Sequence, residues 1–461
     1  MQYRRQDVME KREAPCLDEI EMADPVFVRE MQEEKLRRQM QRLQETSPFY
    51  QRKLAEAGIA FDDIRTIEDL KSVPFTVKQD LRDSLAEAPP YGLHQAADTR
   101  DIVQMQASSG TTGVPAFVAL TAEDVEAWQE LSARRMFACG IRPGDKVLHG
   151  FSMSKGFVGG IPIFQALQYM GCIDIPVGAD GGIDRLLVAA DALRPEAIVG
   201  TPNFILHLAE RAPALIGKTA PELGVRRIVV GGEPGGGIPA IRARMQDAWN
   251  ATVCEVMGGT DLGCIYWGEC DHQSGMHQIG PDYVLSELLD PDTEEVVPWE
   301  TGARGELVYT ALGRRASPVL RFRSGDHVEV LGMDCACGRT GPKIRCFGRT
   351  DDMLIVRGVN VFPSAIQDIV ASMQPETNGV MRVLADFEGH TTQANLKVLV
   401  ERGPGRDPAG DGELIEQVGT RLRNTLSFKP DLRIVPADSF EKRGVQKVAL
   451  TLRETPSFLE D

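Results

Sequence analysis

The sequence predicts an α/β fold: a large N-terminal domain of α/β sheets with a β-rich subdomain, followed by a small α+β C-terminal domain. Three observations lead there. Between residues 145 and 259, five short apolar runs end in glycine or other small residues: "DKVLHGFS", "CIDIPVG", "EAIVGTP", "RRIVVGGEP" and "ATVCEVMGG". Apolar runs of this kind suit strands buried on both faces, and helical stretches such as 161–170 and 182–193 lie between some of them. From about Tyr283 the texture turns β-rich, with "YVLSELLD", "GELVYTAL" and "PVLRFRSGDHVEVL" separated by turns. A further unit begins near Arg349, with short strands, a helix around 365–373, the Gly/Pro-rich loop "RGPGRDPAGDGE" and a helix from about 413 to 426.

In chain order, the first clear element is "DPVFVREMQEEKLRRQMQRLQET". Asp24 and Pro25 suit the opening of a helix, and Val28, Met31, Leu36, Met40 and Leu43 fall near one face. Its many charges read as a solvated face. In the parallel α/β part that follows, functional loops are expected at the strand ends. The domain boundary is placed at "GRTDD", giving domains 1–348 and 349–461, with the Gly/Pro loop a surface connection inside the smaller one.

Composition narrows the function. A net charge of -16 argues against a general affinity for nucleic acid or anionic membranes, while leaving room for a local basic pocket. No run of about 18 apolar residues occurs, so no membrane span is expected. The opening "MQYRRQDVMEKREAPC" lacks the apolar stretch of a secretory signal. Nine cysteines in 461 residues read as cytosolic thiols, some of them candidate metal ligands, rather than a disulfide framework. A cytoplasmic protein is expected, with a homodimer as a candidate assembly.

Two constellations carry chemistry. In "SSGTTGVPAF", small hydroxylated residues and two glycines offer backbone and hydroxyl donors to a phosphate chain, but no lysine stands at the end of the loop. On its own the stretch is a weak signal that reads sooner as a polar turn than as a nucleotide loop. "ECDHQSGMH" and "DCACGRTG" supply Cys270, His277, Cys335 and Cys337, with His272 as a substitute, as four soft ligands for a structural zinc; the alternative is buried free thiols.

The ordered set "PFTVKQDLRD", "SSGTTGVP", "VVGGEPGG", "MGGTD", "LRFRSGD" and "GRTDDMLIVRGVNVFPSAI" resembles the adenylate-forming superfamily, most closely its phenylacetate–CoA ligase branch, over nearly the whole chain. The resemblance implies that a small-molecule carboxylate is activated by ATP and Mg2+ to an acyl-adenylate, which a thiol, usually that of CoA, then takes over. It also implies a small C-terminal domain that rotates between the two half-reactions. Ser108, Ser109, Gly110, Thr111, Thr112 and Gly113 match the family's phosphate loop. Gly232, Glu233 and Pro234 match the segment against adenine, and Gly259 and Thr260 the segment bordering adenine and the α-phosphate. Asp261 stands where the family usually has a Mg2+-binding glutamate. Asp326 and Arg349 match the ribose contacts, Asp351 the hinge, and Gly358 with Val359 the border of the pantetheine channel. Similar Cys/His sets recur in this branch.

Two positions depart from that pattern. Val114 replaces the phosphate-loop lysine, and in "FEKRGVQKVAL" Val445 stands at the lysine that bridges carboxylate and phosphate. Lys447 either substitutes for it or is a solvent lysine. In "GFSMSKGFVGG", Phe157 either stacks on an aryl ring or is a core phenylalanine, and Lys155 either pairs with a second carboxylate or is a surface lysine. The resulting expectation is activation of an aromatic or heteroaromatic acid as its CoA thioester. Its alternatives are a nucleotide- or acyl-adenylate-binding homologue with weak adenylation, or a ligase with a non-CoA acceptor.

Overall fold

Asp24 caps the first long helix: its carboxylate accepts from the Val26 amide, and Pro25 takes the first turn of Pro25–Thr46. Leu36, Met40 and Leu43 are buried as the periodicity predicts, whereas Val28 and Met31 are only half-buried. The remainder of the buried face is polar. The Gln32 and Gln39 amides donate to the carbonyls of Pro281 and Arg314, so this helix braces loops as well as covering a core. The computed structural model describes residues 11–107, 117–154, 156, 158–440 and 449–459.

Strands β1 (Ile102–Ala107) and β2 (Phe117–Thr121) form an antiparallel pair in which Ala107 faces Phe117. Residues 108–116, the hydroxyl- and glycine-rich stretch, connect these two ends and lie outside the described residues. Next come β3 (Lys146–His149), β4 (Ile173–Ile175), β5 (Ala197–Gly200), β6 (Arg227–Val230) and β7 (Thr252–Gly259), paired in parallel in the order β4-β3-β5-β6-β7. Ile198, Val199, Val229 and Val230 are fully buried, because helices cover both faces. Each such side chain stabilises the fold by roughly 1.5–3 kcal/mol relative to exposure.

Strand direction then reverses within one continuous sheet. The first half of β7 pairs in parallel with β6, and its second half pairs antiparallel with β8 (Gly263–Gly268). β9 (Met276–Gln278), β10 (Val284–Leu289), β11 (Val296–Val297), β12 (Arg304–Ala311), β13 (Phe322–Gly332) and β14 (Lys343–Arg349) complete a twelve-stranded sheet. The β-rich texture therefore starts structurally at Gly263, ahead of the change at Tyr283, and its strands continue the parallel sheet.

The large sheet ends at Arg349. Beyond it, β15 (Leu354–Val356), β16 (Val359–Val361) and β18 (Thr391–Thr392) form a small sheet; β17 (Thr377–Leu384), β19 (Leu396–Arg402), β20 (Pro430–Val435) and β21 (Thr451–Leu452) form another. Helices Pro363–Ala371 and Asp411–Leu426 share a core with the strands through Ile366, Val370, Val383, Val398, Val418 and Leu422. Ala371 also joins the core built on Met245 and Trp249, and the Ser364 hydroxyl donates to the Phe347 carbonyl at 2.6 Å. No helix among the described residues is long and apolar enough to cross a membrane.

Candidate active site and metal cluster

The parallel strands deliver their glycine-rich ends to one edge. After β6, the Glu233 carboxylate turns to the start of helix Pro202–Ile216 and accepts from the Asn203 amide and its side-chain nitrogen, both at 3.0 Å. Gly232, Glu233 and Pro234 are thus tied to the loop after β5, a bond suited to a helix N-terminus. Farther along this loop, a Cβ at Gly237 would lie 2.3 Å from Oε2 of Glu255, so any side chain there would have to displace that carboxylate. Arg242 holds the loop from the other side: its Nε donates to the Gly236 carbonyl at 2.6 Å, and Nη2 reaches both Glu269 oxygens at 2.7 and 2.8 Å. Burial, then the neighbouring Glu269, push the Glu255 carboxyl up to about 7.

β7 ends in Gly259, followed by Thr260 and Asp261, and the Tyr266 ring lies alongside: its Oη would be 3.1 Å from a Cβ at Gly259. Burial, and after it the Asp326 carboxylate, hold the Tyr266 phenol well above its ordinary value, so it stays protonated. Asp326 and Arg349 face each other across β13 and β14. Arg349 Nη1 donates to the Asp326 carboxylate and Nη2 donates to the Ser324 carbonyl at 3.0 Å. Two residues 23 positions apart in sequence are therefore one ion-paired unit beside the Gly259–Tyr266 contact. His327 follows Asp326 and bonds the Thr350 hydroxyl at 2.8 Å, next to the exposed Asp351.

Gly358 sits at φ +82° in the turn between β15 and β16, and a Cβ there would meet nothing within 4 Å. The backbone conformation, rather than close approach of a neighbour, is what favours glycine in this arrangement.

Cys270, His277, Cys335 and Cys337 converge, with their ligand atoms all within 4.8 Å of one another. Cys270 Sγ lies 3.7 Å from Cys335 Sγ, and Cys337 Sγ lies 3.7 Å from Nε2 of His277. Tetrahedral zinc with bonds of about 2.3 Å to sulfur and 2.0 Å to nitrogen separates its ligands by roughly 3.5–3.8 Å, a range the two 3.7 Å separations meet. His272, the substitute ligand, is exposed and outside this group. Two ion pairs adjoin the cluster: the buried pair of Arg339 Nε with Glu21 at 2.8 Å, and the partly buried pair of Arg242 with Glu269. Arg242 Nη1 also donates to the Gln273 carbonyl at 3.3 Å, which joins the cluster's first turn to the Gly236 loop.

Ser108, Ser109, Gly110, Thr111, Thr112, Gly113, Val114, Lys155, Phe157, Val445 and Lys447 lie outside the described residues. Residues that sequence reasoning passed over are Tyr266, Arg242, Glu21 and Arg314, the last donating from Nη1 to the Asp261 carbonyl at 2.6 Å. Only Glu21 had a signal, the Asp18–Glu21 capping box.

Comparison with known proteins places this geometry. The AMP-binding enzyme family matches residues 26–312. The chain is 36% identical over 385 residues to the phenylacetate-coenzyme A ligase of Thermus thermophilus, covering 83% of each chain. It also superposes on the crystal structure of 2-hydroxyisobutyryl-CoA ligase in its post-adenylation state with R3-HIB-AMP. That match has a TM-score of 0.85 and 27% identity, over 95% of this chain and 91% of the other. The same ligase in its thioesterification state, with 2-HIB-AMP and CoA, superposes with a TM-score of 0.69 at 28% identity over 94% and 91%. The chain belongs to the AMP-binding enzyme family, as an AMP-forming acid–CoA ligase similar to the phenylacetate–coenzyme A ligases.

Proposed function

We propose that the protein activates an aromatic or heteroaromatic carboxylic acid with ATP and passes the acyl group to the thiol of CoA. A carboxylate oxygen attacks the α-phosphorus, and the P–O bond to pyrophosphate breaks. The CoA thiolate then attacks the acyl carbon, and AMP leaves with the electron pair of the C–O bond. Adenylation is needed because a carboxylate oxygen is a poor leaving group.

In this reading Ser108–Gly113 bind the phosphates through backbone and hydroxyl donors, with Thr111 central, and Asp261 holds Mg2+, which neutralises phosphate charge. Gly232–Pro234, Gly259 and Thr260 border the adenine, and the Asp326–Arg349 unit grips the ribose hydroxyls. Phe157 and Lys155 lie at the acid, Gly358 borders the CoA channel, and Lys447 takes the bridging role that Val445 cannot. Domain 349–461 turns on domain 1–348 at Asp351 between the half-reactions. The closer superposition on the post-adenylation state supports reading the present arrangement as the one that follows adenylation. Cys270, His277, Cys335 and Cys337 hold a zinc that is structural, since four protein ligands leave no open position. The chain works in the cytoplasm, as a homodimer.

The observation that carries this reading is the end-to-end likeness to a CoA ligase holding its acyl-adenylate. The aromatic acid rests on the phenylacetate-coenzyme A ligase relatives; the 2-hydroxyisobutyryl ligase gives the competing reading of a short hydroxy acid. ATP–pyrophosphate exchange across aryl, heteroaryl and short hydroxy acids, followed by CoA addition, tests it. Exchange with aryl acids and release of AMP on CoA addition are expected. Exchange only with short acids overturns the aromatic assignment, exchange without transfer to CoA points to another acceptor, and nucleotide binding without exchange identifies a binding homologue.

A further inference from the structure

Three of the buried arginines in this fold have carboxylate partners. Arg134 meets Asp18, Glu130 and Asp282, Arg321 meets Glu287, and Arg339 meets Glu21. Arg135 lacks a carboxylate, but the carbonyls of His277 and Tyr266 take its two Nη groups at 3.0 and 2.7 Å. Arg314 has neither arrangement. It is 6% exposed, its Nη1 donates to the Asp261 carbonyl, and its Nε and Nη2 find no hydrogen-bond partner among the described residues. Asp124 stands nearby, but its oxygens are taken by the amides of Arg315, Ala316 and Thr121 and by the Thr121 hydroxyl. The adjacent Arg315 is an ordinary surface cation paired with Glu123 at 2.8 Å.

A buried guanidinium with unpaired nitrogens costs folding free energy even where carboxylates such as Asp124 and Asp261 act on it from nearby, and an anion that meets those nitrogens offsets the cost. The fold holds Arg314 in place regardless: its carbonyl accepts from Gln39 and Arg42 at 3.0 Å each, and its guanidinium lies 5.3 Å from the centre of the Trp128 ring. Asp261, whose carbonyl Arg314 holds, lines a cleft together with Arg82, His94, Phe117 and Ser317. Burial, and then the charge of Arg314, hold the His94 imidazole down at about 4, so Arg82 is the charged cation on the cleft's lining and Arg314 stands behind it at the Asp261 carbonyl. Phe117 is where residues 108–116 rejoin β2, and that segment contains hydroxyls and glycines but no lysine or arginine.

We propose that Arg314 is the cationic subsite for the β- and γ-phosphates of ATP, supplying from β12's exit the charge that the 108–116 segment lacks. The proposal rests on the ligase reading above, which puts the triphosphate between that segment and Asp261. Its free Nε and Nη2 meet phosphate oxygens, while Nη1 keeps the Thr260–Asp261 turn in place. Once pyrophosphate has left, the residue has no further partner in the nucleotide, so it discriminates ATP from AMP.

Calorimetric titration of ATP and of AMP into the wild type, Arg314→Gln and Arg314→Lys tests this. Glutamine can keep the bond to the Asp261 carbonyl without the charge; lysine keeps the charge without the fork. The expected result is a loss of ATP affinity on the order of 100-fold for glutamine and about tenfold for lysine, with AMP affinity within about twofold. Thioester formation from a preformed acyl-adenylate should be unchanged. Parallel losses for ATP and AMP make Arg314 merely structural and overturn the proposal, as does ATP affinity equal in all three proteins. If the glutamine variant does not fold, the lysine variant decides by the same criterion. A wild type that binds neither nucleotide defeats the ligase reading itself, an outcome separate from failure of the Arg314 assignment.

Discussion

The metal corner and the phosphate corner are built from neighbouring strands, and they treat charge in opposite ways. Around Cys270, His277, Cys335 and Cys337, two cations are answered by carboxylates, the buried Arg339 by Glu21 and the half-buried Arg242 by Glu269. At the Thr260–Asp261 turn, Arg314 is as deeply buried as Arg339 yet has two nitrogens with no hydrogen-bond partner among the described residues. A closed network contributes to folding and has nothing left for a ligand. An open one costs folding free energy and is useful only when something charged arrives. Substitutions at the first corner should therefore act on stability, and those at the second on turnover.

The largest effect is expected at the phosphate corner. Asp261→Asn keeps the shape of the side chain but loses the negative charge proposed to hold Mg2+, and Thr111→Ala removes a phosphate donor. Each should lower ATP–pyrophosphate exchange by about 100- to 1,000-fold with little change in melting temperature. Full exchange in both variants would mean that "SSGTTGVP" is only a turn.

The metal corner should respond in the opposite sense. Elemental analysis is expected to find close to one zinc per chain, and Cys335→Ser should lose it together with about 5 °C or more of melting temperature. Nucleotide affinity measured well below the melting temperature should change far less than in Asp261→Asn. A metal-free protein with an unchanged melting temperature would dissolve the contrast between the two corners.

Glu255 lies between the two corners, and its effect should be smaller. Its carboxyl is raised from 4.5 to about 7 in the folded chain, so the folded state holds an extra proton between those values. Stability on this account is fully present below about pH 4.5, falls as pH rises towards 7, and is level above that. Glu255→Gln removes this loss and can still accept from the Gly237 amide. The variant should match the wild type at pH 5 and exceed it at pH 8 by at most about 3 kcal/mol in urea unfolding. Parallel pH profiles would show that Glu255 is ionised in the folded protein at both pH values.

How legible these features were in sequence depends on distance along the chain. The strands ending at Gly200, Val230 and Gly259 could be read because buried parallel strands need continuous apolar runs, and the Asp24–Pro25 helix start because capping is local. The four metal-site residues could be listed from two short segments, although their convergence depends on β9 pairing with β14. Asp326 and Arg349 were found separately; that they form one unit is a matter of strand register. Arg314 was illegible, because "GRRASP" resembles any polar turn and only burial distinguishes Arg314 from Arg315. The junction of parallel and antiparallel strands in β7 was hidden for a related reason, since composition does not encode which neighbour each half of a strand selects.

The smallest expected effect sharpens the comparison most. A lysine at position 114 would restore a cation to the loop that joins β1 to β2. If that loop's missing charge is supplied by Arg314, the wild type gains little from a second cation, and Val114→Lys should leave pyrophosphate exchange within about threefold. In the Arg314→Gln background the same substitution should matter, because the phosphates then have no buried guanidinium to meet. There it should recover about tenfold or more of the lost ATP affinity, a coupling between two positions that a double-mutant cycle reads directly. Additive effects, with Val114→Lys equally weak in both backgrounds, would mean that the two positions serve different anions. The phosphate corner would then obtain its compensation from Mg2+ and backbone donors alone.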